Sequence, residues 1–156
     1  MARRKPKHSL VLSKFLPYLL NRAGVKTGQT FSRDLSKFGL VLSDWRILIA
    51  LWQNEPQSLN AVAEITVSDL STMSRQVRAL EKAGFIARER STDDGRALNL
   101  VLTPKGKKTT AQIIPIAKLH ERAATQGINA EELETVRRCV SRIYENLVLF
   151  DKRNDE

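Results

Sequence analysis

Two short helical patterns, separated by a tight turn and followed at once by a hairpin pattern, constrain this fold more than any other feature. The stretches 59–65 ("LNAVAEI") and 69–84 ("DLSTMSRQVRALEKAG") are separated by three residues, which is the layout of a helix-turn-helix. Ser58 and Ser68 are the predicted N-caps of these helices, and Gly84 is the predicted end of the second.

A hairpin pattern follows directly. The strand-like stretches 85–90 ("FIARER") and 97–102 ("ALNLVL") flank the turn-forming residues "DDG", an arrangement typical of a β-hairpin. Arg96 lies at its tip, where a slim finger can place a cation in the negative minor groove of DNA. An aspartate of the turn, Asp93 or Asp94, can hold Arg96 by a charge-assisted hydrogen bond. The hairpin is therefore interpreted as a wing.

The segment before the helix-turn-helix carries apolar residues at helical spacing. Residues 9–39 are predicted to be helical, with Pro17 in the first turn and Gly39 at the end. Gly24 and Gly28 weaken the middle of this helix, so a bend or break is expected there.

Two further helices flank the centre of the chain. Residues 44–53 ("DWRILIALWQ") are apolar nearly all round, which predicts a buried helix capped by Ser43. Thr103 and Pro104 have the residue types of an N-cap and a first helical position. Pro115 lies inside this later helix and is expected to kink it.

The last helix is predicted from its capping box and its apolar seam. Gly127 ends the preceding helix, and Asn129 and Glu132 have capping-box spacing. Apolar residues then alternate by three and four, as in a coiled coil. They are Leu133, Val136, Val140, Ile143, Leu147 and Phe150. Packing within one subunit and packing between two subunits both explain this seam.

The helix over residues 69–84 is predicted to have two chemically different faces. One face is apolar and is expected to pack on the preceding two helices: Leu70, Met73, Val77 and Leu80. The opposite face mixes short side chains with cations: Ser71, Thr72, Arg75, Arg78, Ala79 and Lys82. Short hydroxyls allow close approach to phosphates, and arginine can form two hydrogen bonds to guanine. An ordinary solvated face is the alternative.

The distribution of charge favours DNA binding over that alternative. The chain has 26 Lys and Arg against 17 Asp and Glu, a formal net charge of +9. Residues 71–108 contain nine of the cations and only four of the carboxylates, so a basic stripe runs through the helix-turn-helix and the wing. The predicted DNA-binding residues are Ser68, Ser71, Thr72, Arg75, Arg78, Lys82, Arg90 and Arg96.

Other classes of protein have little support in the sequence. The single cysteine, Cys139, cannot form an internal disulfide, and no apolar run has the length of a signal peptide or a membrane span. We therefore expect a cytoplasmic protein without a membrane partner. His8 and His120 are isolated, so no metal site is expected. "KGKKTT" (105–110) lacks the leading glycine of a phosphate-binding loop. Neither catalysis nor a cofactor is predicted.

These residues together resemble a known family. The stretches 44–51 ("DWRILIAL") and 71–108 ("STMSRQVRALEKAGFIARERSTDDGRALNLVLTPKGKK") are similar to the MarR family of bacterial transcriptional regulators. Asp94 and Arg96 match the family's wing aspartate and arginine, whereas Gly95 occupies a place often held by a second arginine. The resemblance implies a homodimer that binds double-stranded DNA at a palindromic operator, usually as a repressor released by a small ligand.

The resemblance also implies an organisation for the whole chain. We expect a mainly α fold with a small β-hairpin wing, in which a winged helix-turn-helix core is flanked by N- and C-terminal dimerisation helices. The expected regions are a basic flexible tail (1–8), an N-terminal dimerisation helix (9–39), the DNA-binding core (40–104), C-terminal dimerisation helices (105–150) and a tail (151–156).

An effector pocket is expected between the winged domain and the dimerisation helices, as in the family. Family analogy favours an aromatic acid or its thioester as the ligand. Four residues can supply aromatic walls and one cation: Tyr18, Arg22, Phe31 and Trp45. Plain core packing is an equally good explanation of these four residues.

Three alternative functions stay open. A ligand-independent architectural protein would bind DNA without sequence preference. A protein-interaction adaptor would show no salt-dependent DNA binding. A cysteine-based redox regulator would need Cys139, which is late in the chain, whereas some members of the family sense oxidants through a cysteine near the first helix.

Overall fold

The computed structural model describes residues 10–90 and 98–154. In these ranges the chain forms six α-helices and three short strands. In chain order they are α1 (Leu16–Leu35), α2 (Leu42–Gln53), β1 (Gln57–Ser58), α3 (Leu59–Thr66), α4 (Leu70–Lys82), β2 (Ile86–Arg90), β3 (Leu98–Leu102), α5 (Pro104–Ala124) and α6 (Ala130–Asn154). The predicted mainly helical class with a small β-sheet is confirmed.

The first long helix is continuous, which corrects the expectation of a break. α1 has Pro17 in its first turn and passes through both Gly24 and Gly28 without interruption. At Gly28 an added Cβ would lie 3.1 Å from the side chain of Leu42. This glycine therefore permits close approach of α2 to α1 rather than breaking the helix. A short 3₁₀ turn follows α1 and ends at Gly39, whose φ of 70° is left-handed.

α2 starts two residues earlier than predicted. The helix begins at Leu42, so Ser43 lies inside the first turn and does not cap it. The carboxylate of Asp44 instead accepts a hydrogen bond from the backbone N–H of Val41 at 2.9 Å. The apolar character of α2 is explained by burial of Trp45, Ile47, Leu48, Ala50 and Leu51.

The two helices of the helix-turn-helix start with different caps. Ser58 caps α3 as predicted, because its hydroxyl accepts a hydrogen bond from the N–H of Ala61 at 3.2 Å. α4 is capped by Asp69, whose carboxylate accepts from the N–H of Thr72 at 2.8 Å. The prediction of Ser68 as the cap of α4 is therefore wrong by one residue.

The strands form one antiparallel sheet in the order β1-β3-β2. α4 ends just before Gly84, whose φ is 76°, and β2 then pairs with β3 from Ile86 opposite Leu102 to Arg90 opposite Leu98. This register confirms the predicted hairpin. β1 pairs with β3 on its other edge and was not predicted, because two residues are too short to show alternation.

The junction between the hairpin and α5 is fixed by Thr103. Its hydroxyl oxygen accepts from the N–H of Gly106 at 3.0 Å and donates to the carbonyl of Gly84 at 2.7 Å. Pro104 is the first residue of α5, as predicted. A Cβ at Gly106 would lie 2.1 Å from the carbonyl oxygen of Phe85, so only glycine fits this contact.

The C-terminal helices begin and end close to their predicted positions. α5 contains Pro115 in its interior and ends at Ala124; Gly127 follows in the next turn with a φ of 84°. Asn129 and Glu132 form both hydrogen bonds of the capping box at 2.9 Å, which confirms the predicted start of α6.

The chain divides into two compact units, residues 1–120 and residues 121–156, so the boundary lies inside α5. The described part of the first unit contains one core with contributions from α1 to α5. Its largest fully buried side chains are Leu35, Ile47, Leu48, Leu51, Met73, Leu100, Ile113, Val62, Val77 and Thr110.

Candidate nucleic-acid interface

α4 has the two faces that its sequence predicts, with one exception. Met73, Val77 and Leu80 are buried. Leu70 is 50% exposed and does not join the core, which corrects its prediction. Leu70 is the first residue of the helix and lies at the margin of its apolar face. It is therefore the apolar residue of α4 with the fewest neighbours to pack against.

The opposite face of α4 is open to solvent. Ser71, Arg75, Arg78, Ala79 and Lys82 are exposed and Thr72 is half-buried. Among the described residues, Arg75, Arg78 and Lys82 form no ion pair with a carboxylate. The surface therefore offers three cations to an external anion.

Asp69 organises the start of this face. Its Oδ1 accepts hydrogen bonds from the Ser71 hydroxyl at 2.7 Å and from the Thr72 N–H at 2.8 Å. The Ser71 hydroxyl, followed by the backbone and side chain of Thr72, holds the pKa of Asp69 well below its usual range. The partial positive charge at the helix N-terminus is thus already neutralised by a carboxylate of the chain. DNA contacts are expected from the side chains of α4 and not from its N-terminal amides.

Arg75 and Ser68 are held differently from one another. Nη2 of Arg75 donates to Oγ1 of Thr72 at 3.3 Å, so the guanidinium lies back along the exposed face toward the start of the helix. Ser68 is half-buried, and its hydroxyl oxygen lies 3.4 Å from Oγ1 of Thr66. Of the two, Arg75 is the better placed for a base edge or a phosphate.

The wing strand is tied to α4 by an ion pair that crosses between the two elements. Nε of Arg88 donates to Oε1 of Glu81 at 3.0 Å. Arg88 is therefore engaged within the chain, whereas Arg90, at the end of β2, is exposed. The predicted tip residues Asp94 and Arg96 lie outside the described residues.

Two lysines of the basic stripe have structural partners. Nζ of Lys105 donates to the carbonyl of Ala83 at 2.7 Å and lies 4.3 Å from the ring centroid of Phe85. Nζ of Lys107 pairs with Glu55 at 2.5 Å. Part of the local positive charge thus stabilises the junction of α4, the sheet and α5. A count of charges in the sequence does not distinguish these structural cations from cations that are free to contact DNA.

Glu55 connects the end of α2 to the sheet. Its second carboxylate oxygen accepts from the N–H of Leu102 at 2.9 Å. Burial raises the pKa of Glu55, but the hydrogen bonds from Lys107 and the Leu102 N–H outweigh this effect, and the pKa is lowered overall. An ionised Glu55 therefore helps to hold β3 beside the helix-turn-helix.

The four residues expected in an effector pocket are not brought into one depression. Tyr18 and Arg22 line an open depression of about 470 Å³ on α1. Phe31 and Trp45 are buried, with ring centroids 5.7 Å apart in an edge-to-face arrangement. Phe31 follows Tyr18 by 13 residues on one helix, a rise of roughly 20 Å. The structure thus favours core packing for Phe31 and Trp45.

His120 has a structural partner that the sequence did not indicate. Its Nε2 lies 2.8 Å from Oδ2 of Asp34, and its ring meets Phe31 edge-on at 5.3 Å between centroids. Asp34 also accepts from Nζ of Lys37. The side chains join α5 to α1 within the first unit. Residues 86 positions apart give no local signal of such a contact.

α6 differs from the helices of the first unit because none of its residues is buried. Leu133 and Ile143 are half-buried, and the other four seam residues are exposed by 43% to 61%. The free thiol of Cys139 is also exposed. Most of the predicted seam is therefore exposed among the residues that the structure describes.

No grouping of three or more His, Cys, Asp or Glu suited to a metal ion occurs in the described residues. The helices in those same ranges are also too short or too polar to cross a membrane.

A helix-turn-helix with a cationic second helix, followed by an antiparallel hairpin, defines a winged helix-turn-helix protein. The model of the MarR family matches residues 40–98. A solved MarR family transcriptional regulator from Silicibacter pomeroyi DSS is 30% identical, with a TM-score of 0.81, and the alignment covers 86% of this chain and 91% of that one. The chain belongs to the MarR family and is a transcriptional regulator rather than an enzyme.

Two further relatives support this assignment. The HTH-type transcriptional repressor Mb2911 of Mycobacterium bovis is 27% identical over 128 residues, which are 82% of this chain and 92% of that protein. The transcriptional repressor CouR, solved bound to a 23-mer DNA duplex, is 25% identical with a TM-score of 0.76, covering 85% of this chain and 94% of that one.

Proposed function

We propose that this chain is a homodimeric repressor that binds a palindromic operator and is released from it by a small effector. The observation that carries the proposal is the exposed face of α4, where Arg75, Arg78 and Lys82 form no ion pair with any described carboxylate. Such a face matches the electrostatic and hydrogen-bonding requirements of a DNA major groove.

The proposed roles of the α4 residues are supported by their exposure, and those of Asp94 and Arg96 come from the sequence alone. Arg75 is proposed to contact a base edge or a phosphate. Arg78 and Lys82, which lie farther along α4, are proposed to contact the DNA backbone. Ser71 and Thr72 allow the helix to approach DNA closely. Arg90 and Arg96 are proposed to contact the minor groove or its phosphates, with Asp94 supporting Arg96.

Dimer formation is proposed from the seam of α6. An apolar stripe on a helix of 25 residues is unfavourable in water, and a second copy of the same helix can cover it. Two winged units in one dimer would present two α4 helices, which must be about 34 Å apart to enter successive major grooves. A palindromic operator follows from this twofold symmetry.

Release by an effector requires a ligand that binds the DNA-incompetent state better than the competent one. Tyr18 and Arg22 are exposed on α1 and are kept as the proposed effector contacts. Arg22 would pair with an anionic group, such as that of an aromatic acid. Phe31 and Trp45 would act only by shaping the core beneath α1.

A redox mechanism is the second candidate, and it is supported by the exposure of Cys139. One of the relatives is the organic hydroperoxide resistance transcriptional regulator of Bacillus subtilis, 22% identical over 143 residues. Oxidation of an exposed thiol adjacent to the seam would place polar atoms beside apolar ones. Cys139→Ser separates this mechanism from a ligand mechanism.

The deciding experiment is operator selection from a random duplex pool, followed by gel-shift titration at several salt concentrations. A sequence-specific dimer should enrich an inverted repeat and show a steep decrease of affinity with salt. Enrichment of no sequence would indicate an architectural protein, and absence of salt-dependent binding would indicate a protein-interaction adaptor. Peroxide that releases the parent but not Cys139→Ser would favour the redox mechanism.

A further inference from the structure

A shallow groove on the first unit lies between α2 and the end of α3. We call it the Arg46 groove. It measures about 570 Å³ and is lined by Arg46, Ile49, Ala50, Gln53, Ile65, Thr66 and Val67. The α2 residues follow one another at i, i+3, i+4 and i+7, so they form one stripe along the helix.

The backbone of Val67 is strained. Its φ of 54° and ψ of 51° are left-handed, a conformation that is unfavourable for a β-branched residue. No other non-glycine residue in the described ranges has a positive φ.

Two other helix ends show what this position normally requires. At each of the three helix ends, the backbone N–H of the left-handed residue donates a hydrogen bond to the carbonyl three positions earlier. The N–H of the next residue donates to the carbonyl five positions earlier. This is the Schellman arrangement, in which glycine is preferred. The left-handed residue is Gly39 after α1, Gly84 after α4 and Val67 after α3. Only the end of α3, directly before α4, has a side chain there.

Burial of the Val67 side chain within the chain is too small to offset this backbone strain. It is 70% exposed, and Ile65 beside it is 55% exposed. Two branched apolar side chains therefore form an open wall of the groove. A glycine at residue 67 would relieve the strain and remove little buried apolar surface, so an apolar contact from outside the chain explains valine better than folding does.

The polar part of the groove is cationic. Arg46 is exposed and forms no ion pair among the described residues. No described carboxylate lines the groove, and Gln53 adds an amide. The hydroxyl of Thr66 donates to the carbonyl of Val62 at 2.8 Å, so it is already used.

We propose that the Arg46 groove binds a small organic anion with an apolar body, whose charged group pairs with Arg46 and whose body covers Ile65 and Val67. The volume of the groove is within the range of small-molecule sites. The ligand would hold the turn that precedes Asp69, the cap of α4. This proposal rests on the proposed function, a regulator released by a small effector, and it replaces Tyr18 and Arg22 as the effector contacts.

The binding test uses the full-length protein and a small aromatic anion of known structure as the probe. Benzoate is titrated into ¹⁵N-labelled protein, with benzamide as the neutral control of nearly the same shape. Benzoate should shift the amide signals of Arg46, Ile49, Ile65 and Val67, with a dissociation constant on the order of 1 mM. Benzamide should bind at least about tenfold more weakly, because it lacks the charge.

Two variants test the two halves of the groove. Arg46→Ala should raise the dissociation constant for benzoate at least about tenfold. Val67→Gly should raise it about threefold, without lowering the melting temperature. Lys118→Ala, which removes an exposed cation from α5, should leave benzoate binding unchanged.

Operator affinity, measured separately, distinguishes failure of this site from failure of the proposed function. The parent and Arg46→Ala should bind the selected operator within about twofold of each other. A large loss in Arg46→Ala would make Arg46 a phosphate contact and overturn the ligand site. Benzoate shifts centred on Tyr18 and Arg22, equal binding of benzamide, or no binding would also overturn it. A parent that binds no operator would refute the proposed function instead, whatever the titration shows.

Discussion

The core of the first unit and the helix α6 both contain apolar residues at helical spacing but differ in what covers them. Ile47, Leu48 and Leu51 of α2 are fully buried, whereas Leu147 and Phe150 of α6 are 56% and 61% exposed. Amphipathic sequence is therefore not enough to show where a helix packs. The core of the first unit buries its apolar residues within one chain, whereas the seam of α6 stays mostly exposed among the described residues.

This difference assigns separate physical roles to the two regions. Complete burial of one large aliphatic or aromatic side chain contributes roughly 1.5–3 kcal/mol. In α2 this free energy stabilises the fold that positions α4. In α6 most of the same free energy is available only on association, so it is expected to drive dimer formation. The comparison predicts different behaviour for matched variants in the two regions.

The largest effect is expected from a charge in the seam. Leu147→Glu should convert the dimer to a monomer and abolish operator binding, because burying an unpaired carboxylate in an apolar interface is strongly unfavourable. The fold of the first unit should be unchanged. Sedimentation velocity and gel shift measure the two results.

Ser141→Glu is the matched control for this variant. It places the same charge on α6 outside the seam, about 120° around the helix from Leu147, and should leave both dimer and affinity intact. Equal behaviour of the two variants, whether both dimeric or both monomeric, would show that the seam is not the interface.

The next effect is a cavity in the core of the first unit. Leu48→Ala should lower the free energy of unfolding by about 2–5 kcal/mol at every protein concentration. Leu147→Ala should instead have an effect that decreases as the protein is diluted below the dimer dissociation constant. Urea unfolding followed by tryptophan fluorescence at several concentrations compares them. If the loss of unfolding free energy in Leu48→Ala also depends on protein concentration, the two regions do not differ in the way proposed.

The cationic face of α4 should affect binding without affecting either the fold or the dimer. Arg75→Ala is expected to weaken operator binding by about 1–3 kcal/mol. Loss of a base contact should relax specificity at one position in each half-site, whereas loss of a phosphate contact should weaken all sequences alike and reduce the salt slope. If neither affinity nor salt slope changes, α4 has been assigned the wrong role.

The smallest effect concerns pH and the contact between α1 and α5. Hydrogen bonds from Lys37 and His120 lower the pKa of Asp34. A carboxylate with a depressed folded-state pKa contributes stability above its unfolded pKa and loses it as pH falls through the folded value. Asp34→Asn should therefore lower the melting temperature slightly at pH 7 and flatten its decrease below about pH 4.

Glu134→Gln on α6 is the control for this titration, because the Glu134 side chain is 70% exposed and 3.7 Å from Arg137. Its melting curve should follow that of the parent at every pH, since exposed ion pairs contribute little. If the melting temperature of Asp34→Asn decreases below about pH 4 as steeply as that of the parent, Asp34 does not contribute to the pH dependence of stability.

The sequence predicts the winged helix-turn-helix because its signals are local. The periodicity of α4, the turn residues of the hairpin and the capping box at Asn129 each depend on neighbouring residues. The incorrect caps at Ser43 and Ser68 have the same origin. Asp69 has a capping propensity similar to that of its neighbour Ser68, and α2 has Val41 at its cap position with Asp44 in the first turn. Only the three-dimensional path of the chain selects among such positions.

The candidate site was less predictable because it depends on contacts between distant elements. The pairing of Arg88 with Glu81 and of Lys107 with Glu55 distinguishes structural cations from those offered to DNA, and a charge count treats them alike. Phe31 has the residue type of a pocket wall and of a core residue, and burial alone separates the two.

The most direct test of the account is the stoichiometry of the complex with DNA. Sedimentation equilibrium of the parent with a labelled duplex carrying one selected operator should give two chains per duplex and a dimer in the absence of DNA. Two α4 helices would then read the two half-sites, as the unpartnered seam of α6 implies. A single chain bound to the whole operator with undiminished affinity would contradict the account.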